Sequence, residues 1–297
     1  MNTMFTALKV YMSKKEEIIR EFRESGQSQR VIAEQFGVSR GLVTQYCKGI
    51  ERSIPLAPKH PCSNRFFEAV QTEAQAYWVG FLLGDGSISG NCLSVTLLNE
   101  DRWHLENLAK LMGTAERPKV STAPSLQKFA NSYCTFRVSN KQLVDDLAAL
   151  NVVPNKTLVA DLPLKVVSED LHRHLIRGVF DADGCLGTYK KKVKKPTWYP
   201  WLPTVSLCGS PDMIKTIEQV VQRDLGFSVP IQKRSSNYHI LETKGWVKAA
   251  QLADYLYEDC SHYLARKMVK YQEMKDKQPL TSKRFVGSAL KKETQEI

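Results

Sequence analysis

Trp78-Val79-Gly80-Phe81-Leu82-Leu83-Gly84-Asp85-Gly86 and Ile176-Arg177-Gly178-Val179-Phe180-Asp181-Ala182-Asp183-Gly184 are two versions of one pattern, 98 positions apart. In each, an apolar run carries a small residue at its third and seventh places and then ends Asp-Gly. Apolar runs of this length bounded by glycine read as buried helices, and each delivers one acid to a sharp stop. Gly80 and Gly84 stand four apart, as do Gly178 and Ala182, so each pair lies on one helix face. Small residues on facing helices let two backbones approach closely. The acids Asp85 and Asp183 are then expected side by side.

The chain around these copies repeats as well. After the first copy, Cys92–Leu97 alternates, with Leu93, Val95 and Leu97 against Ser94 and Thr96. A helix follows over Asp101–Met112. Tyr133–Ser139 alternates again, with Cys134, Phe136 and Val138 on one side and Tyr133, Thr135, Arg137 and Ser139 on the other, and Asn140–Leu150 reads as a helix. Clean alternation means sheets with one buried and one polar face. The second copy runs from a helix over Glu169–Ala182 through strands at Cys185, Val205–Cys208, Ile231 and Tyr238–Glu242, with helices over Pro211–Leu225 and Trp246–Leu256. The fold class is α+β: the order αββαββα appears twice, as repeats at 67–162 and 163–275, with a polar, Lys-rich tail at 276–297.

Ahead of the repeats, residues 1–49 contain a small all-α unit. Ser13 and Ser39 are placed to cap helices, Gly26 to end the first, and Gly37-Val38 to make a tight turn. Ile18, Ile19 and Phe22, then Val31, Ile32, Ala33 and Phe36, then Leu42, Val43 and Tyr46 supply a core. The segment Ile32-Ala33-Glu34-Gln35-Phe36-Gly37-Val38-Ser39 resembles the helix-turn-helix of many bacterial and phage DNA-binding domains, which would point Arg40, Thr44 and Gln45 at DNA. A plain three-helix packing module fits the same pattern. Pro55, Pro58 and Pro61 forbid a continuous helix across 50–66, which reads as an extended linker.

Bulk properties narrow the function. Forty-two Lys and Arg against 31 Asp and Glu leave a formal charge of +11. Such an excess suits a polyanion, most simply nucleic acid, or else a solvated basic surface. Seven scattered cysteines with no C-x-x-C pair argue against a zinc site or a disulfide framework and fit a reducing compartment. The opening MNTMFTALKVYMSKKEE lacks signal-peptide order, and no apolar run reaches membrane-spanning length. A cytoplasmic protein in a bacterial, phage or organellar interior is expected, neither secreted nor membrane-bound. His172 and His174 are two apart on a helix and cannot share a face as metal ligands. They read as surface or partly packed.

Adjacent carboxylates repel unless a cation lies between them, and oxygen-only ligands suit Mg²⁺. Bound divalent ions activate water and stabilise a leaving alkoxide, so a duplicated acid suggests a metal-dependent phosphodiester cutter with two half-sites. On these residues the chain resembles the LAGLIDADG homing endonucleases in their single-chain, two-repeat form, over about 70–275. The resemblance implies two αββαββα halves forming a DNA-binding saddle, and cleavage of both strands of a long specific DNA site by a monomer. It further implies Mg²⁺ (with Mn²⁺ able to substitute) held by Asp85 and Asp183 with help from the carbonyls of Gly84 and Ala182. Basic residues beside the scissile phosphates are implied at Lys156 and Lys267, with Arg266 competing for the second place. The sixth motif position is Leu83 in one copy and Asp181 in the other, a departure the family tolerates. For DNA contacts, Thr135 and Arg137 lie on a polar strand face and Lys233 and Arg234 are placed with them. Lys191 and Lys192 belong to a lysine run followed by Trp198, Tyr199 and Trp201, which suits backbone contact or a solvated loop. The same double fold also serves non-cleaving transcription regulators, which usually lose the acids, and RNA maturases, for which intron RNA would be a partner. An intein-associated nuclease is disfavoured, because no flanking splicing domain is apparent.

Overall fold

The computed structural model describes residues 13–54, 60–62, 65–121, 132–156, 160–190 and 201–278. Contacts divide the chain into two units, Met1–Pro61 and Cys62–Ile297. Among the described residues no helix is long and apolar enough to cross a membrane, and all seven cysteines are free.

The first unit holds three short helices, α1 (Lys14–Glu24), α2 (Gln29–Phe36) and α3 (Arg40–Tyr46). Ser13, Ser28 and Ser39 each accept a backbone N–H from the first turn, and Glu16 completes a reciprocal cap with Ser13. Gly37 closes α2 in the left-handed conformation (φ 60°, ψ 42°), where a Cβ would be strained. Ile18, Phe22, Ile32, Ala33, Val43 and Cys47 form the core. Val31 does not join it: one residue before Ile32, it is rotated off the buried face and exposed. The linker also begins later than residue 50. Ser53 and Ile54 donate their N–H groups to Arg23 O, both at 3.0 Å. Arg52 donates to Phe22 O at 2.7 Å and lies over the Phe22 ring. Residues 50–54 therefore belong to the three-helix unit.

The second unit contains both repeats. The first runs α4 (Glu73–Asp85), β1 (Gly86–Ser89), β2 (Cys92–Leu98), α5 (Arg102–Leu111), β3 (Lys119–Ser121), β4 (Tyr133–Ser139) and α6 (Lys141–Ala149). The second runs α7 (His172–Asp183), β5 (Gly184–Lys190), β6 (Trp201–Gly209), α8 (Pro211–Leu225), β7 (Ile231–Ser235), β8 (Tyr238–Lys244) and α9 (Lys248–Tyr257). Each repeat forms one antiparallel four-stranded sheet of matching order, β1-β2-β4-β3 and β5-β6-β8-β7. The expected α+β duplication is thus present. Buried Leu93, Val95, Leu97, Cys134, Phe136 and Val138 face the helices of the first half, and Leu186, Val205, Leu207 and Leu241 do so in the second.

A further helix, α10 (Ala265–Asp276), lies beyond the repeating order. It buries Lys267, Tyr271 and Met274. The sequence pattern does not announce this helix, because ARKMVKYQEMKD is polar almost all round and offers only a weak apolar stripe.

Candidate functional site

The site begins with α4 against α7. A Cβ on Gly80 would overlap the carbonyl oxygen of Leu175. One on Gly178 would overlap Tyr77 O and fall 2.6 Å from Phe81 N. One on Gly84 would overlap the Ala182 methyl and fall 2.8 Å from Asp183 Oδ2. The small residues of the two motifs are therefore what lets the backbones touch, and the Asp183 carboxylate lies against the last turn of α4.

Both helices pass into strands with no loop between. Gly86 (φ −73°, ψ 144°) and Gly184 (φ −86°, ψ 167°) are extended, unlike the left-handed glycines that commonly end helices. Glycine is needed here for space: a Cβ would meet Leu82 O at 2.5 Å and Phe180 O at 2.6 Å, respectively.

Two lysines close this arrangement, one at each helix end. Lys156 Nζ donates to Gly86 O at 2.5 Å and to Gly84 O at 3.2 Å. Lys267 Nζ donates to the corresponding Gly184 O and to Phe180 O, the latter at 2.9 Å. Both side chains are buried. Each ammonium sits at a helix C-terminus, where the orphan carbonyls carry partial negative charge. Lys156 and Lys267 thus each lie at the C-terminal end of an acid-bearing helix. Arg266 separates from its neighbour: its Nε donates to the buried Asp101 at 3.0 Å.

The electrostatics follow from this crowding. Burial, and then the Asp183 charge, raise Asp85 to about 6, opposed by Arg266, Lys156 and Lys267. Asp183 has an open surface, yet burial also raises it, opposed by the two lysines. Burial lowers Lys156 and brings Lys267 down to about 8. Each acid is held above its ordinary range and each lysine below it, and a cation between the acids would offset what raises them.

A buried polar network beneath the site escaped sequence reasoning. Asp181 is fully buried and accepts from Tyr257 OH (2.5 Å), Leu264 N (2.6 Å) and Tyr77 OH (2.8 Å). His104 Nε2 is 3.0 Å from the same Tyr77 hydroxyl, and burial lowers this histidine to about 3. Arg177, also fully buried, donates to Glu73 at 2.7 Å. The signal was present: a charged residue within a buried helical run needs partners. The partners lie 76 to 104 positions away, which no local pattern reveals. His172 is buried with Nε2 2.9 Å from Val167 O, and His174 Nδ1 meets Arg177 at 2.8 Å, so both are packing residues.

The sheets turn polar faces away from the helices. On the first, Ser87, Ser94 and Arg137 stand in one register row. Lys119, Thr135 and Thr96 stand in another, with the two threonine hydroxyls 2.9 Å apart. On the second, Cys185, Ser206 and Glu242 share a row, and Glu242 pairs with Lys244 at 2.8 Å and accepts from Gln232 at 3.1 Å. Arg234 donates to Gln232 at 2.9 Å and so reaches this open face. Lys233 does not. Its register partner is His239, which alternates onto the side of Leu241 and Thr243, and a bulge follows before Ser235. Arg40, Thr44 and Gln45 are exposed on α3 of the first unit, where the Thr44 hydroxyl lies 2.9 Å from Gln29 Oε1. Lys191 and Lys192 lie outside the described residues.

No protein-family model and no curated protein matches the chain. Its fold is similar to those of solved structures. One is the LAGLIDADG meganuclease I-AabMI bound to uncleaved DNA, at 14% identity and TM-score 0.46 over 71% of this chain and 91% of that one. A second is the I-SmaMI LAGLIDADG homing endonuclease bound to cleaved DNA, at 13%, 0.48, 74% and 96%. A third is the homing endonuclease I-WcaI bound to its DNA recognition sequence, at 12%, 0.45, 68% and 87%.

Proposed function

We propose that this chain is a site-specific double-strand DNA endonuclease of the LAGLIDADG homing class, acting as a monomer because one chain carries both half-sites. The observation that supports this reading is the close approach of α4 and α7, which sets Asp183 against the last turn of α4 and within charge reach of Asp85. Mg²⁺, with Mn²⁺ as a substitute, fits the donor set. Two carboxylates raised in pKa by burial, one also by the other's charge, gain from a cation between them. Among the described residues no group of three or more His, Cys, Asp or Glu that could hold a metal ion occurs, so an ion here would rest on two carboxylates and backbone oxygens. Asp85 and Asp183, with Gly84 O and Ala182 O, would hold the ion, which supplies water activation and stabilisation of the leaving oxygen.

The remaining work falls to the protein. Lys156 and Lys267 hold their charges at the helix ends, next to where phosphate charge builds up, in a partly dehydrated setting that strengthens them. Arg137, Thr135, Thr96 and Lys119 on one sheet and Arg234, Gln232 and Lys244 on the other present donors for phosphates and base edges. The three-helix unit adds DNA contacts outside the cleavage site through Arg40, Thr44 and Gln45. Lys191 and Lys192 grip the backbone. Retention of both acids favours the nuclease over a non-cleaving regulator or a maturase on the same fold.

The test is direct. Purified protein with Mg²⁺ should cut both strands of a DNA spanning its gene's insertion point, reconstructed without the insertion, and EDTA should stop it. Asp85→Asn and Asp183→Asn should each abolish cutting while binding persists. Full activity in either variant refutes the shared site.

A further inference from the structure

The two halves hold their site lysines by different means. Lys267 is reached through residues 258–264, the connection between α9 and α10. Buried or part-buried charges from both motif helices fasten that connection. Glu73 Oε1, on α4, accepts from Ser261 N at 2.7 Å and from His262 N at 2.9 Å. Arg177, on α7, donates to His262 O at 2.8 Å and Leu256 O at 3.1 Å while pairing with Glu73. Asp181 accepts from Leu264 N at the last residue before α10. The positions that correspond by the 98-residue repeat are Leu171, Val79 and Leu83, all buried and apolar. Among the described residues, the connection to Lys156 is held instead without a buried charge, by local backbone bonds such as Val152 N to Leu147 O at 3.0 Å, by Asn151 Nδ2 donating to Asp161 O at 3.2 Å, and with Asn151 and Asn155 in left-handed conformations.

We infer that Asp181, seconded by Glu73, is a positioning residue that sets Lys267 on the end of α7, and that the two half-sites are consequently unequal. Charge-assisted bonds from buried acids are stronger and more directional than backbone bonds in a turn. A lysine fixed in this way needs little reorganisation as charge develops nearby. Losing the clamp therefore impairs one strand's cleavage and spares the other's. This asymmetry rests on the nuclease reading; the fastening of the 258–264 connection does not.

The test uses the full-length protein with Asp181→Asn and, as a milder change at a partly exposed position, Glu73→Gln. Amide hydrogen exchange across 258–268 should accelerate about tenfold or more, with 150–156 unchanged. On a supercoiled plasmid bearing the target, nicked circles should accumulate, one strand slowing about tenfold and the other by less than about twofold, with DNA affinity kept. A purely structural lesion would slow both strands together. Equal slowing of both strands, or unchanged exchange at 258–268, overturns the inference. Failure of the wild type to cut would count against the nuclease reading, and exchange would then decide the clamp alone: acceleration confined to 258–268 upholds it and no change removes it. Should Asp181→Asn fail to fold, Glu73→Gln carries both readouts.

Discussion

Gly178 faces the carbonyl of Tyr77 so closely that a single methyl at its Cα would overlap that oxygen. The motif glycines act as the bearing on which the two halves meet. Gly178→Ala gains about 1 kcal/mol of helix propensity. It should nonetheless lose about 3 kcal/mol or more in a urea melt, because the overlap is with backbone that cannot rotate away. Cleavage should fall with it as the acids part. A variant as stable and active as wild type would mean that the helices do not touch here.

The raised acids predict a trade of stability for function. Asp85 moves from 3.8 to about 6 on folding, so the folded state binds the proton more tightly. Stability of the metal-free protein from this group is full below pH 4 and falls as pH rises through 4–6, by up to about 3 kcal/mol. Asp85→Asn should therefore melt higher than wild type at pH 8 without Mg²⁺, by about 1–3 kcal/mol, while losing activity. His104 contributes the opposite slope: its lowered pKa makes protonation unfold the protein, so stability from it declines as pH falls from 6.5 toward 3. Comparing variant and wild type at each pH cancels that background.

Lys267 titrates near 8 rather than 10.5. If its ammonium serves the reaction, cleavage should decline above about pH 8 as the charge is lost. Lys156→Ala and Lys267→Ala should each lower the cleavage rate by about 10- to 100-fold with little change in DNA affinity. Single-turnover rates beside equilibrium binding would separate the two effects, and an undiminished rate would leave the lysines a capping role only.

Removing residues 1–60 should weaken DNA binding by about tenfold or more and flatten its salt dependence, since basic contacts disappear. The chemical step, read in single turnover at saturating protein, should change far less. Equal affinity with and without the segment would take the three-helix unit out of recognition.

Much of this was legible in the chain. Strict alternation in Tyr133–Ser139 and Cys92–Leu97 marked buried and open faces correctly, because a half-buried strand tolerates little else. The doubled small-residue spacing disclosed the close helix pair, because only glycine or alanine leaves room for the opposing backbone. What escaped was non-local or irregular. The bonds of Glu73 to Ser261 and of Asp181 to Tyr77 span most of a repeat or more. The bulge after Lys233 reverses which side a residue faces, and strand pattern alone does not announce it. Helix α10 is held by a few buried contacts rather than by an apolar stripe. The fold of residues 50–54 onto α1 depends on Arg52 finding Phe22, which proline content conceals.

The direct passage of α4 into β1 and of α7 into β5 makes each strand a graduated ruler with its zero mark at an acid. Side chains on the open face step outward at roughly 6.5–7 Å intervals, two residues at a time. On the proposed nuclease reading, exchanging them would rewrite what the surface recognises without moving the cutting point, so new targets would be acquired one notch at a time while the blade stays where it is.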